Sequence, residues 1–237
     1  MTMASEKLMK PAQFAEQYLL TAILEGEYPP GSAIPAERDL AALIGVTRPT
    51  LRETLQRMAR EGWLDIHHGK STTVRDYINE GGMGVLSTMT RMADRLPVNF
   101  VENFLDVRSV ILPPVSRMAV ENQPARMEVC LAKSETLPDT PDSYADYDWN
   151  LQLNMAMFSG NPFFRIILND FDFMYRKWGQ RYFRISQARL LSATFYAELL
   201  SLVRKKDGIG VEARVRLVMN DVMALWNSRM DDIENES

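Results

Sequence analysis

Arg48, Arg52, Gln56 and Arg60 recur every four residues, while Leu51, Leu55, Met58 and Ala59 repeat at three and four on another face of the same stretch. That is the period of an α-helix, predicted over Arg48–Glu61. Thr47 supplies an N-cap hydroxyl, and Pro49 falls in the first turn, where a missing N–H costs nothing. A helix that reads a DNA major groove does so with its N-terminal end, where Arg can give two hydrogen bonds to guanine O6 and N7. Arg48 and Arg52 stand at that end. From Arg48 to Arg75 the basic residues Arg48, Arg52, Arg57, Arg60, Lys70 and Arg75 outnumber Glu53, Glu61 and Asp65 by three, in a chain whose net charge is −4. An isolated charged stripe is usually a solvated helix face. Here the spacing, the local charge and the flanking elements agree on nucleic acid.

The flanking elements are what hold such a helix in place. Phe14, Ala15, Tyr18, Leu19, Ala22 and Ile23 make an apolar helical stripe that ends at Gly26 and Tyr28-Pro29-Pro30-Gly31. Pro35 opens a short second helix, with Glu37 favoured in its first turn by the helix dipole and Leu40, Leu43 and Ile44 on its buried side. It stops at Gly45. Two helices joined through a Gly turn form a helix-turn-helix. Trp63-Leu64-Asp65-Ile66-His67 then alternates, His68-Gly69 turns, and Thr72–Arg75 returns as a second strand, which predicts a β-hairpin wing.

The chain's 237 residues suit one to two domains. The glycine cluster Gly81-Gly82-Met83-Gly84 marks the expected boundary: a winged-helix domain over 1–78, a linker over 79–84 and a helical domain over 85–237. Helices are expected over Val85–Asp94, Val98–Glu121 with a kink at Pro113-Pro114, Pro124–Thr136, Ser143–Phe158, Pro162–Gly179, Ser186–Lys206 and Gly210–Asp231. The fold class is therefore mainly α, a winged helix-turn-helix followed by an all-α bundle.

Composition narrows the chemistry. Hydrophobic residues at 46% and charged residues at 24% fit a globular chain rather than a disordered one. One cysteine, Cys130, allows no intramolecular disulfide, and Met1–Pro11 lacks a signal-peptide core, which points to the cytoplasm. No stretch reaches the roughly 18 uncharged apolar residues of a spanning helix. His67 and His68 are the two histidines, far from Cys130, so no His- or Cys-based metal site is expected, and no cofactor. Gly-x-Ser-x-Gly and a Gly-rich phosphate loop are both absent from the sequence, and Asp146 and Asp148, two apart on a helix, point to different faces. Catalysis is not expected.

Ile34-Pro35-Ala36-Glu37-Arg38-Asp39-Leu40-Ala41, Gly45-Val46-Thr47-Arg48, Leu51-Arg52-Glu53 and Gly62-Trp63-Leu64 resemble the winged-helix domain of the GntR family of bacterial regulators. Ser159-Gly160-Asn161-Pro162, Ile167-Leu168-Asn169 and Arg181-Tyr182-Phe183 extend the resemblance into the second half, toward the branch that regulates fatty acid metabolism. It implies that Arg38, Thr47, Arg48, Thr50 and Arg52 face a double-stranded DNA operator, and that His68-Gly69-Lys70 is a wing tip reaching the minor groove. Pro49 stands where the family has a polar residue. The resemblance further implies a long-chain acyl-CoA effector that releases DNA, held at Arg108, Tyr182 and Trp226. Phe171, Phe173, Tyr175 and Trp178, with Arg176, Lys177 and Arg181, would supply apolar area beside cations. Met219 and Val222 replace small residues of that pattern and narrow the access expected for the CoA moiety. The metal-holding branch of the family uses an Asp and three His, and the helical domain here has no His. The alternative is a GntR-type regulator with a different effector or none. A homodimer on a pseudo-palindromic site is expected, because one helix-turn-helix buries too little surface for tight specific binding.

Overall fold

A computed structural model describes residues 9–67, 69–92 and 98–229 of the chain. Its contacts divide into two compact units between positions 95 and 96. The N-terminal unit holds α1 (Pro11–Leu24), α2 (Glu37–Ile44), α3 (Arg48–Glu61), β1 (Leu64–Asp65), β2 (Thr73–Val74) and α4 (Met83–Arg91). Helix α3 spans the residues predicted from its two stripes. The Thr47 hydroxyl caps it by accepting the Thr50 N–H at 3.3 Å. Leu51 and Met58 on its apolar face are fully buried against Leu19 of α1, Leu40 of α2 and Trp63. Each such side chain contributes about 1.5–3 kcal/mol on leaving water.

The wing is a short antiparallel pair with Leu64 opposite Val74 and Asp65 opposite Thr73. Residues 31–34 lie along the other edge of β2, where Gly31 and Ile34 donate to the carbonyls of Val74 and Thr72, and Val74 donates back to Ser32. This third rung was not legible as a strand, because Pro29, Pro30 and Gly31 read as turn.

Helix α4 also departs from expectation. Its start at Met83 lies inside the segment expected to be a linker, and the helix packs on α3. Thr88 Oγ1 lies 2.9 Å from Glu61 Oε2 and donates to the Gly84 carbonyl at 2.8 Å. A Cβ placed on Gly84 would sit 2.7 Å from the Glu61 carbonyl oxygen. The glycine cluster therefore serves close helix contact more than chain flexibility, and the contact break comes after α4 rather than before it.

The C-terminal unit is all-helical among the described residues. It contains α5 (Val98–Asn122), α6 (Pro124–Ala132), a 3-10 turn (Lys133–Thr136), α7 (Pro141–Phe158), α8 (Pro162–Asn169), α9 (Asp172–Arg184), α10 (Ser186–Arg204) and α11 (Gly208–Ser228). Helix α5 packs against α7 and α11, and α7 against α9. Pro113 and Pro114 both lie inside α5, which runs on past them, and the Ser116 hydroxyl donates to the Pro113 carbonyl at 2.6 Å. The single helix expected over Pro162–Gly179 is two. The chain breaks at Asp170-Phe171, where Phe171 stacks on Phe104 with ring centroids 4.4 Å apart. Asp172 begins α9 by accepting from Trp149 Nε1 at 2.6 Å. Those tertiary contacts override a continuous helical periodicity.

Gly84→Ala is expected to force α3 and α4 apart and lower stability by about 1–3 kcal/mol, the ordinary range for overpacking. Gly82→Ser, which meets open space and adds a capping hydroxyl, should leave the urea midpoint unchanged or raise it. Equal midpoints for Gly84→Ala and the parent chain would show that the contact is not tight.

Candidate nucleic-acid interface and ligand cavity

The reading end of α3 is exposed and locally organised. Thr47 and Thr50 share a hydroxyl–hydroxyl hydrogen bond of 2.8 Å in the first turn, which orients the pair and leaves one of the two hydroxyl protons free to donate. Arg48 is exposed and has no ion-pair partner among the described residues. Arg52 is different: its Nη2 donates to Glu37 Oε2 at 2.7 Å, and its Nε lies 3.2 and 3.1 Å from the two oxygens. These bonds hold the Glu37 carboxyl below the usual range. Glu37 of α2 thus fixes the direction of Arg52 across the groove bounded by α2, α3 and the wing. Arg38 is highly exposed, with its Nε 3.0 Å from Asp39 Oδ1. At the wing tip Lys70 N–H donates to the His67 carbonyl at 3.3 Å. Gly69 has φ +73 with nothing within 4 Å of a built Cβ, so a glycine is required there by conformation and not by crowding. His68 lies outside the described residues.

The local positive charge is smaller than the sequence count. Arg57 is tied to Glu16 of α1 at 2.8 Å and Arg75 to Asp65 across the wing, besides Arg52 with Glu37. Of the six basic residues counted, Arg48, Arg60 and Lys70 are left without an acidic partner among the described residues. Spacing cannot reveal such pairing, because the acidic partners Glu16 and Glu37 come from other helices.

In the C-terminal unit α5, α7, α9, α10 and α11 enclose a cavity lined by Arg108, Asp148, Trp178, Tyr182, Met219 and Trp226, among others. It brings Arg108, Tyr182 and Trp226 together from three helices. Its volume of about 40 Å³ is room for a few water molecules and not for a hydrocarbon chain. Met219 and Val222 of α11 both line it.

One side of the cavity is a closed polar network. Arg108 is 5% exposed and Asp148 is 8% exposed. Their closest approach is 3.9 Å, from Arg108 Nη2 to Asp148 Oδ2. Gln152 bridges them: Arg108 Nε donates to its Oε1 at 3.2 Å, and its Nε2 donates to Asp148 Oδ2 at 2.6 Å. Asp148 also accepts from Tyr196 Oη at 2.7 Å and from Tyr175 Oη. Burial, reinforced by the Asp148 charge, pushes both phenols well above their ordinary range, so they stay donors. The Arg108 guanidinium lies over the rings of Tyr175 and Phe104 at 5.1 and 5.7 Å.

The other side is unsatisfied. Five buried side-chain polar atoms lack a partner among the described residues, and three of them, Trp178 Nε1, Tyr182 Oη and Trp226 Nε1, belong to this cavity wall. Buried donors are nearly always paired in folded proteins, with protein groups or with ordered water, and these three converge on a space that can hold a few water molecules or the acceptor atoms of a small group.

Gln152 and Tyr196 were not singled out by the sequence, and Asp148 stands out there only as an unsuitable partner for Asp146. Their signal was present: Asp148 and Gln152 lie four apart on a helix face shared with buried Ala145 and Trp149, and a charge on such a face demands a partner. Asp146 points to the opposite side, where it meets Arg176 at 2.6 Å, as the two-residue spacing predicts. Among the aromatic residues, Tyr175 and Trp178 line the cavity, Phe171 packs beside it on Phe104, and Phe173 is 52% exposed. Arg181 lies over the Trp178 ring at 4.7 Å. Among the described residues no group of three or more His, Cys, Asp or Glu could hold a metal ion, and no helix is long and apolar enough to cross a membrane.

A winged helix with a cation-tipped reading helix, followed by an all-helical unit, defines a DNA-binding transcription regulator. Residues 11–74 match the family model for bacterial regulatory proteins of the gntR family, and residues 75–237 match that for the FadR C-terminal domain. A fatty acid metabolism regulator protein of Shewanella halifaxensis is 42% identical over 227 residues, 95% of each chain. One from Shewanella oneidensis is 42% identical over 226 residues, covering 94% of this chain and 93% of its own. The solved structure of Lar from Listeria monocytogenes shares the fold, with a TM-score of 0.59 at 16% identity over 93% of this chain and 98% of that one. The chain belongs to the GntR family, in its branch of fatty acid metabolism regulators, and is a regulator rather than an enzyme.

Two outcomes follow from this geometry. Arg48→Ala should leave the fold intact, because Arg48 is not on the Leu51-Leu55-Met58 face, and should cost roughly 1–3 kcal/mol of discrimination for the cognate base pair. Equal operator binding by mutant and parent in the same salt would contradict it. Tyr182→Phe removes a buried hydroxyl that has no partner and should raise the thermal stability of the ligand-free protein, by about 1 kcal/mol or more. A lowered Tm would show that the hydroxyl is satisfied.

Proposed function

We propose that this regulator works as a homodimer on a pseudo-palindromic operator in the cytoplasm, and that long-chain acyl-CoA, bound in the helical unit at Arg108, Tyr182 and Trp226, lowers its DNA affinity. Arg38, Thr47, Arg48, Thr50, Arg52, His68, Gly69 and Lys70 form the DNA-facing set, with Arg48 reading bases and Lys70 meeting phosphate or the minor groove. The observation that carries the effector reading is the cavity wall with three unpartnered donors beside a buried cation, set among aromatic and Met side chains. A thioester or amide carbonyl satisfies such donors, and flexible, polarizable Met accommodates an acyl chain.

The cavity is too small for that chain as it stands. Binding therefore requires α11 and its neighbours to part, with Met219 and Val222 moving from the wall. A ligand that fits one arrangement of the helices and not the other has the differential affinity that a switch needs. A coupling of about 1–3 kcal/mol is ordinary for such systems, and linkage requires DNA to weaken acyl-CoA binding by the same factor.

The test uses an operator selected by in vitro enrichment and titration with oleoyl-CoA. The expected result is a change in tryptophan fluorescence, from Trp178 and Trp226, together with weakened operator binding. If saturating oleoyl-CoA changes neither, and Met219→Gly with Val222→Ser restores both responses, then the cavity is closed to acyl-CoA in this protein and the reading fails.

A further inference from the structure

We propose that Asp148 sets the charge class of the group this cavity accepts: by cancelling the Arg108 charge it restricts the site to a neutral acceptor, a thioester or amide carbonyl, and rejects a free carboxylate. The inference rests on the effector reading above, which it deepens by naming the residue that selects the ligand's charge.

Arg108 is the buried cation at the cavity, and a lone buried guanidinium would recruit any carboxylate that reached it. It is not alone. Asp148 lies 3.9 Å from it and is joined to it through the Gln152 amide. The Asp148 carboxylate is held in turn by Tyr175 and Tyr196. The network is neutral in sum, and both of its charges are nearly out of water. A second carboxylate would set two anions against one cation in a dry site, a costly arrangement that no remaining positive charge on the cavity wall offsets. What is still open to a ligand is a set of uncharged donors, Trp178 Nε1, Tyr182 Oη and Trp226 Nε1. Indole and phenol donors suit a carbonyl oxygen. The selection is thus made by an anion that need not touch the ligand, so Asp148 is a specificity-determining residue that acts through Arg108.

Binding of oleoyl-CoA, oleamide and oleate is measured by tryptophan fluorescence on the full-length protein. The parent chain should bind oleamide at least tenfold more tightly than oleate. Asp148→Asn, which keeps the size and removes the charge while giving up one acceptor oxygen of the network, should improve oleate binding tenfold or more and change oleamide binding by a far smaller factor. Adding Arg108→Gln to it should abolish the gain, which a purely structural role for Asp148 would not predict. Equal binding of oleate and oleamide by the parent chain overturns the proposal, and that comparison stands even if Asp148→Asn does not fold. A folded Asp148→Asn, judged by circular dichroism, with no gain toward oleate also overturns it. Failure of the effector reading is separable: a parent chain that discriminates oleamide from oleate but ignores oleoyl-CoA retains the role of Asp148 and loses the acyl-CoA effector.

Discussion

Four helices of the C-terminal unit meet at one buried carboxylate. Asp148 on α7 takes hydrogen bonds from Tyr175 on α9 and Tyr196 on α10, and through Gln152 it holds Arg108 on α5. An unpaired charge at this depth is intolerable in a low-dielectric interior, whereas a paired and fully hydrogen-bonded one is sustainable. Register follows from that requirement. A turn of slippage in any of the four helices would orphan a phenol, an amide or the guanidinium, each at about 1–3 kcal/mol or more. Apolar packing around Trp149 and Leu112 fills the bundle, but apolar contacts tolerate repacking more readily than a polar network tolerates a missing partner.

The N-terminal unit solves a different problem, presenting a few groups on a rigid surface. Most of its cations are committed internally, Arg57 to α1, Arg52 to α2 and Arg75 to the wing. These exposed or half-exposed pairs contribute little to stability. Their effect is orientation: Arg52, with its Nε and Nη2 engaged by both carboxylate oxygens of Glu37, is held in one direction. Arg48, Arg60 and Lys70 have no acidic partner within ion-pair distance among the described residues, which suits the long-range, salt-sensitive part of DNA association. Division of labour between fixed and free cations is what a short reading helix in an acidic chain requires, because net charge alone would repel the duplex.

The sequence made the helix-turn-helix readable almost to the residue, since capping Thr47, Pro49 and a four-residue polar period are local signals whose structural consequences are also local. The wing was half legible: the hairpin alternates, but its third rung comes from residues 31–34, which carry turn residues. The glycine cluster was misleading for a physical reason. Glycine serves flexibility and close approach equally well, and at Gly84 the deciding fact is the Glu61 carbonyl oxygen of another helix, which a Cβ would meet at 2.7 Å. The same limit hid the pairing of Asp148 with Tyr196. Long-range hydrogen bonds between residues 48 apart leave no period in the chain, although a charge amid buried helix positions marks where one must exist.

The cavity joins these two kinds of constraint. Its satisfied side fixes the helices, and its other side leaves three donors without a protein acceptor, facing a space with room for a few water molecules. Filling the wall with apolar residues would remove that penalty and also remove the reason for any ligand to prefer it. The buried network ties α5, α7, α9 and α10 together, whereas Met219 and Val222 of α11 stand on the part of the wall outside it. Helix α11 packs along α5 but contributes nothing to the Asp148 network that keeps α5, α7, α9 and α10 in register. A bundle in which every wall was equally well satisfied would have one arrangement only, and an effector would have nothing to select.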